Sequence, residues 1–126
     1  MFLIVEDNHQ LLALWRRLVP QLDLDAVIVD NGDEARRLVE DTQFCGLVLD
    51  QQLPGASGTD ILAAARQPGS PNAETPVIFT SAAPPHPLPD DVVVLRKPVP
   101  LAAVVKRLLE LVGSGQRESA NQQRDL

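Results

Sequence analysis

Residues 47–58 read LVLDQQLPGASG, and this stretch decides the fold. Its three consecutive aliphatic residues show no polar alternation, which is typical of a strand buried on both faces of a sheet. Asp50 ends that strand, and a loop containing Pro54 and Gly55 leads to a segment of helical period that begins near Ser57. A buried strand that ends in an acidic residue and runs into a helix predicts one unit of a βα repeat.

The same pattern recurs on both sides of this stretch. The short aliphatic runs that we expect to be strands cover residues 2–5, 27–29, 47–49, 77–79 and 92–95. Helices are expected after Asn8, from Asp33 to about Asp41, after Ser57 and from Pro100 to Gly113. Strands that alternate with helices predict a doubly wound α/β domain, whose ligand site lies at the carboxyl ends of the strands.

Composition excludes several classes of function. The 126 residues include 11 Lys+Arg and 17 Asp+Glu, a net charge of −6, which suits a single globular domain and leaves no positive face for a nucleic-acid backbone. No apolar run is long enough for a signal peptide or a membrane span. The lone Cys45 forms no internal disulfide. We therefore expect a cytoplasmic protein with neither nucleic-acid nor membrane partners.

Polar residues follow the predicted strands at the edge where a ligand would bind. They are Glu6, Asp7, Asp50, Thr80, Ser81 and Lys97. Any one of them alone is best explained as a polar residue that ends a strand, but the set is not. Three adjacent carboxylates repel one another unless a cation shares the site, and oxygen ligands with open positions suit Mg²⁺. An aspartate beside Mg²⁺ can accept a phosphoryl group, whose charge a lysine and a hydroxyl stabilise.

Four ordered motifs over roughly residues 2–112 resemble the receiver domain of bacterial two-component response regulators. They are residues 4–8 (IVEDN), 47–58, 76–82 (PVIFTSA) and 95–98 (LRKP). The resemblance implies a flavodoxin-like, five-stranded parallel sheet with the strand order 2-1-3-4-5. It identifies residues 1–112 as the receiver domain and residues 113–126 as a polar C-terminal tail.

The resemblance also implies a role for each site residue. Asp50 is the phosphoacceptor and a metal ligand. Asp7 ligates Mg²⁺ directly, Glu6 does so through water, and the backbone carbonyl of Gln52 completes the protein ligands.

The phosphoryl group itself is expected to contact Lys97 and the hydroxyl of Ser81. Thr80 is the second choice for the role of Ser81, although its place in the strand points it elsewhere. The Lys97-Pro98 peptide bond is cis in the family.

Partners follow from the same resemblance. It implies a histidine kinase or a histidine phosphotransfer protein as phosphodonor and an unidentified downstream protein, and it allows a weak homodimer.

The chemistry is limited to Mg²⁺-dependent self-phosphorylation and self-dephosphorylation, so we do not expect an enzyme. Too few residues follow position 112 for a DNA-binding module. We expect a stand-alone regulator, a phosphorelay shuttle or a receiver excised from a longer chain.

The first helix offers a candidate docking surface for the phosphodonor. Leu11, Leu14, Trp15 and Leu18 recur at helical spacing, and we expect this stripe to face the core. Leu12 and Val19 lie on its flank. We expect them to be partly exposed, where they either dock a kinase or phosphotransfer helix or simply pack.

Two departures from the family pattern concern the output. Val94 stands where the family has an aromatic residue, and residues 82–91, where the family has its fourth helix, contain four prolines. Prolines at this density prevent a regular helix, so we expect that helix to be missing or reduced.

Two other functions compete with the receiver. A haloacid-dehalogenase-type phosphohydrolase needs a second aspartate two residues after the nucleophile, where this chain has Gln52. A pseudo-receiver keeps the fold for protein interaction without phosphorylation. Its absence of phosphorylation does not fit the site residues that this chain retains, which are Glu6, Asp7, Asp50, Ser81 and Lys97. A Mg²⁺ titration distinguishes a pseudo-receiver from a phosphorylated receiver.

Overall fold

The computed structural model describes residues 1–83 and 88–111, in which strands and helices alternate. The elements are β1 (Phe2–Val5), α1 (His9–Gln21), β2 (Ala26–Val29), α2 (Gly32–Asp41), β3 (Gly46–Asp50), α3 (Gly58–Ala65), β4 (Val77–Ser81), β5 (Val92–Arg96) and a last helix, α4, described over residues 101–111. The predicted strands and helices are confirmed, with differences of one or two residues at their ends. Gly113, the expected end of α4, and the tail of residues 113–126 lie outside the described residues.

All five strands form one parallel sheet in the order β2-β1-β3-β4-β5. The predicted order 2-1-3-4-5 is therefore confirmed. The direction of strand addition reverses between β1 and β3, which are hydrogen-bonded neighbours. In doubly wound sheets the ligand crevice lies at such a reversal, so the ends of β1 and β3 are the place to look for a site.

Helices cover both faces of the sheet. On one face, α2 and α3 pack with Ala35, Val39 and Ile61 against the strand residues Leu49 and Phe79. On the other face, α1 and α4 pack with a second set of buried residues, which comprises Ile4, Trp15, Val48, Ile78, Val104 and Leu108. Every residue of β1, β3 and β4 is buried, which explains why these strands read as continuous aliphatic runs.

The face that α1 presents to the core differs from the prediction. Leu12 and Val19 are 4% and 7% exposed and lie in the core with Trp15, whereas Leu14 is 43% exposed. The prediction that Leu12 and Val19 are partly exposed is wrong. Because both side chains are buried, they cannot dock a partner helix. Apolar residues cover more than half of this helix, so periodicity alone does not select the buried face, and Trp15 fits either stripe.

The described residues between β4 and β5 contain no helix, as expected from the prolines. Ala82 and Ala83 form a bend, and Leu88 packs against the core on the α2 and α3 face. Residues 84–87, which hold three of the four prolines, lie outside the described part of the chain. In the ranges that are described, none of the helices combines the length and the apolar character that crossing a membrane requires.

The loop after β3 is fixed by contacts with α2 and α3. The amide of Gly32 donates to the Pro54 carbonyl at 2.8 Å, and the carboxylate of Asp33 accepts the Ala56 amide at 3.0 Å. A Cβ atom on Gly32 would lie 1.6 Å from the Ala56 carbonyl oxygen, so only glycine allows this approach. Ser57 then caps α3 through a reciprocal capping box with Asp60. The segment that follows Asp50 is therefore held at both of its ends.

Candidate functional site

Three carboxylates meet at the predicted reversal of the sheet. Glu6 and Asp7 follow β1, and Asp50 is the last residue of β3. One carboxylate oxygen from each lies within 4.8 Å of the others. Asp50 is 4% exposed, so the cluster extends from a buried group at the end of β3 outward to the surface.

Both carboxylate oxygens of Asp50 have a donor. Lys97, which follows β5, places its Nζ 2.7 Å from Oδ2, and the amide of Gln52 donates to Oδ1 at 3.2 Å. The amide of Lys97 donates to the Ser81 carbonyl at 2.9 Å and so continues the β4–β5 ladder. The Lys97-Pro98 peptide bond is cis. The pairing of β3 with β4 and of β4 with β5 thus places Lys97, which follows β5, beside Asp50 at the end of β3.

The environment of Glu6 shows how strongly negative this region is. Burial raises the pKa of the Glu6 carboxyl, and the nearby Asp50 and Asp7 raise it further. The Asn8 amide, which donates to the Glu6 carboxylate at 3.1 Å, and the Lys97 ammonium lower that pKa but do not offset the burial. One ammonium group for three carboxylates leaves an excess of negative charge. Hard oxygen donors with such an excess fit a divalent cation.

The two hydroxyls at the end of β4 point in different directions. Thr80 donates to the Leu49 carbonyl at 3.4 Å and lies on the side of α1 and α4. Ser81 is 4% exposed, and its Oγ accepts the amide of Ala83 at 3.2 Å. No hydrogen bond joins Ser81 to Asp50 among the residues that the structure describes. The structure therefore brings Glu6, Asp7, Asp50, Gln52 and Lys97 together and places Ser81 on the adjoining strand end.

Two residues that support the site were not predicted from the sequence. The side chain of Gln51 accepts the Thr59 amide at 2.9 Å, and Asp33 holds the Ala56 amide. Gln51 could have been suspected because it follows the candidate acceptor directly. Asp33 lies 23 residues from the amide that it binds, and no local pattern reveals such a contact.

The fold and the site together define a class of protein. Comparison with known families matches residues 2–108 to the response regulator receiver domain. The chain therefore belongs to the receiver domain family of two-component systems, and the predicted family is confirmed.

Known proteins of this family resemble the chain in sequence and in structure. Regulatory protein LuxO of Vibrio cholerae is 33% identical over 79 residues, and transcriptional regulatory protein CpxR of Escherichia coli O157:H7 is 31% identical over 80 residues. These matches cover 63% and 64% of the chain but only 17% and 32% of the relatives. The chain thus spans less than a third of the length of either regulator.

Solved receiver domains share the fold. The match to the receiver domain of the Francisella response regulator 1452 covers 90% of this chain and 97% of that domain's chain, with a TM-score of 0.74 and 22% identity. The receiver domain of the sensor histidine kinase PA1611 from Pseudomonas aeruginosa matches 89% and 96%, with a TM-score of 0.70 and 21% identity. That neighbour has a magnesium ion coordinated in its active site cleft.

The raised pKa of Glu6 predicts a pH-dependent effect on stability in the absence of metal. A carboxyl whose pKa is raised on folding contributes most below its unfolded pKa, and the contribution is lost as the pH rises through the folded pKa. Glu6→Gln removes that loss. The variant should therefore unfold at a higher urea concentration than the wild type at neutral pH, and the difference should vanish below a pH of about 4.

Glu74→Gln is the matched control, since Glu74 is exposed and far from the carboxylate cluster. It should leave the urea midpoint nearly unchanged at both pH values. A Glu6→Gln protein that is less stable than the wild type at neutral pH would contradict this account of the charge at the site.

Proposed function

We propose that this chain is a phosphoacceptor receiver that takes a phosphoryl group on Asp50 from a histidine kinase or a histidine phosphotransfer protein. The observation that carries the proposal is the surroundings of Asp50. A buried carboxylate lies 2.7 Å from a lysine ammonium and within 4.8 Å of two further carboxylates, at the reversal point of the sheet. A structural ion pair needs no second and third carboxylate, whereas a cation and a phosphoryl group together account for all of them.

Mg²⁺ is the proposed cofactor. Glu6, Asp7, Asp50 and the backbone carbonyl of Gln52 would hold it, and when bound it neutralises the carboxylates and the incoming phosphoryl oxygens. The PA1611 receiver domain, which shares the fold and contains magnesium, supports this choice.

In the proposed reaction, one carboxylate oxygen of Asp50 attacks the phosphorus of the phosphohistidine. The P–O bond to Asp50 forms, the P–N bond breaks, and its electron pair returns to the imidazole ring. Lys97 is then free to pair with a phosphoryl oxygen instead of Oδ2. The hydroxyl of Ser81 accepts the Ala83 amide and still has its own proton to donate to another phosphoryl oxygen.

The remaining features of the proposal follow from this role. The protein acts in the cytoplasm and is not an enzyme, apart from Mg²⁺-dependent self-phosphorylation and self-dephosphorylation. Its output goes to a downstream protein, with a weak homodimer as a further assembly. Residues 1–112 form the receiver domain.

Phosphorylation should be restricted to Asp50. With Mg²⁺ and a small-molecule phosphodonor, intact-mass spectrometry should show one added phosphoryl group on the wild type and none on Asp50→Asn. Asp41→Asn is a matched control, since Asp41 is an exposed residue at the end of α2 and lies outside the carboxylate cluster, and this variant should still be labelled. Equal labelling of Asp50→Asn and wild type would show that another residue is the acceptor. Failure of the wild type both to bind Mg²⁺ and to be labelled would favour the pseudo-receiver.

Lys97 and Ser81 should act on the phosphoryl group rather than on the metal. Ser81→Ala should retain Mg²⁺ binding within about threefold, since its side chain is not a proposed ligand. Lys97→Ala should not weaken Mg²⁺ binding, because it removes a cation that lies beside Asp50 and opposes the metal. Both should weaken the response to beryllofluoride, a phosphoryl mimic, by about tenfold or more, because each loses a contact to a charged group. The measurement is the change in amide chemical shifts on titration. If both variants respond to beryllofluoride as the wild type does, these roles are wrong.

The output should run through residues 81–91, which together with the adjacent start of α4 should form the partner surface. Ser81 holds one end of this segment through Ala83, Arg66 pairs with Asp91 at 3.0 Å at the other, and Leu88 packs on the core. Val94 is 38% exposed and has no ring to move. A signal needs contacts that differ between two states, and the Ser81 hydroxyl is the group that can change its partner.

Hydrogen exchange with and without beryllofluoride tests this route. Protection should change at the amides of Ala82, Ala83, Leu88 and Asp90. Ser81→Ala should suppress the change, whereas Ser57→Ala, which removes a hydroxyl from the cap of α3, should not. An unchanged segment with altered protection in α1 or α3 would show that the signal leaves by another path.

A further inference from the structure

A cavity of about 410 Å³ lies beside the carboxylate cluster, between α1, α4 and the ends of the strands. Its walls are mainly apolar and include Leu11, Trp15, Val48 and Val104. Trp15, Val48 and Val104 are each at most 5% exposed, so these walls belong to the packed interior. A cavity of this size with apolar walls is within the range that binds small molecules. The phosphotransfer proposed above uses two of its lining residues, Glu6 and Lys97, but not its apolar part.

The polar groups of this cavity favour one type of ligand. Glu6, Thr80 and Lys97 are the polar or charged residues that line it. The ammonium of Lys97 is already paired with Asp50 at 2.7 Å. Glu6 and Thr80 are therefore the polar lining residues that remain for a ligand, and the side chains of both carry acceptor oxygens.

Thr80 supplies an observation that is independent of the acidic cluster. It is 8% exposed, and the one hydrogen bond that its hydroxyl makes in the described structure, to the Leu49 carbonyl, is 3.4 Å long. That length is beyond the usual range for a hydroxyl donor, so a buried polar group with a weak partner lines the cavity. A ligand that donates to its oxygen would satisfy it.

We propose that this cavity binds a small apolar amine. The hydrocarbon part packs against Leu11, Val99 and Leu101, which are the half-buried apolar residues of the lining. The ammonium group donates to Glu6 and to Thr80. The charge argues for a cation, because Asp7 and Asp50 add to the field of Glu6 while one lysine opposes it.

Three ligands that differ only in charge test the proposal. Benzylamine, benzyl alcohol and benzoate share one ring and carry a cationic, a neutral and an anionic head. Trp15 is the only tryptophan of the chain, so its fluorescence reports on the cavity wall, and amide shifts at Thr80 and Val104 locate the ligand. The titrations are carried out without Mg²⁺.

Benzylamine should bind with a Kd on the order of 1 mM, which is typical of a ligand of this size. Benzyl alcohol should bind about tenfold more weakly and benzoate more weakly still, because each loses the charged contact to Glu6. In Glu6→Gln, benzylamine and benzyl alcohol should bind within about threefold of each other. Equal binding of benzoate and benzylamine to the wild type, or no saturable response to benzylamine, would overturn the proposal.

Filling the cavity gives a second test. Val104→Phe places a larger side chain in the cavity and should abolish the benzylamine response. Leu109→Phe enlarges an exposed residue of the same helix, 41% exposed in the wild type, and should leave the response intact. Undiminished binding in a folded Val104→Phe protein would place the ligand elsewhere. If that variant does not fold, the charge series on the wild type and on Glu6→Gln decides the question.

Discussion

Repulsion among Glu6, Asp7 and Asp50 is the constraint on which the rest of the site depends. Three carboxylates within 4.8 Å of one another destabilise the fold unless donors hold them. The structure provides such donors from separate parts of the chain: the Asn8 amide for Glu6, and the Gln52 amide with the Lys97 ammonium for Asp50. Asn8 also caps α1, so the start of that helix and the site are stabilised by the same residue. The register of β3, β4 and β5 is needed to bring Lys97 to Asp50.

The same constraint explains why the loop after β3 is held so firmly. An acceptor carboxylate that must meet an incoming phosphoryl group gains from a fixed position. Gly32 and Asp33 hold the loop from α2, and the side chain of Gln51 ties its start to Thr59 at the beginning of α3. These contacts fix the backbone on one side of Asp50. On the other side, Ser81 is bonded to a bend with no helix behind it among the described residues. Fixed and adaptable elements thus lie on opposite sides of the acceptor.

The sequence predicts the features that local pattern encodes. Buried strands need aliphatic runs, and ligands meet at strand ends, so both the sheet and the carboxylate cluster follow from the chain alone. The buried face of α1 does not, because Leu12 and Leu14 are equally apolar and only the packing partner distinguishes them. Contacts between distant segments, such as that of Asp33 with Ala56, are equally invisible. The cavity is of this kind too, since it depends on how two helices and three strand ends leave space between them.

Glu6 connects the acceptor site with the cavity. Its carboxylate lies in the cluster with Asp7 and Asp50, and Glu6 is also one of the residues that line the cavity. A cation on either side reduces the same repulsion, so a cation bound on one side lowers the gain from a cation on the other. Coupling of this type is reciprocal. An amine in the cavity would lower the affinity of the cluster for a metal, and the metal would lower the affinity of the cavity for the amine by the same factor. A single half-buried carboxylate is sufficient for this coupling, and no movement of the backbone is required.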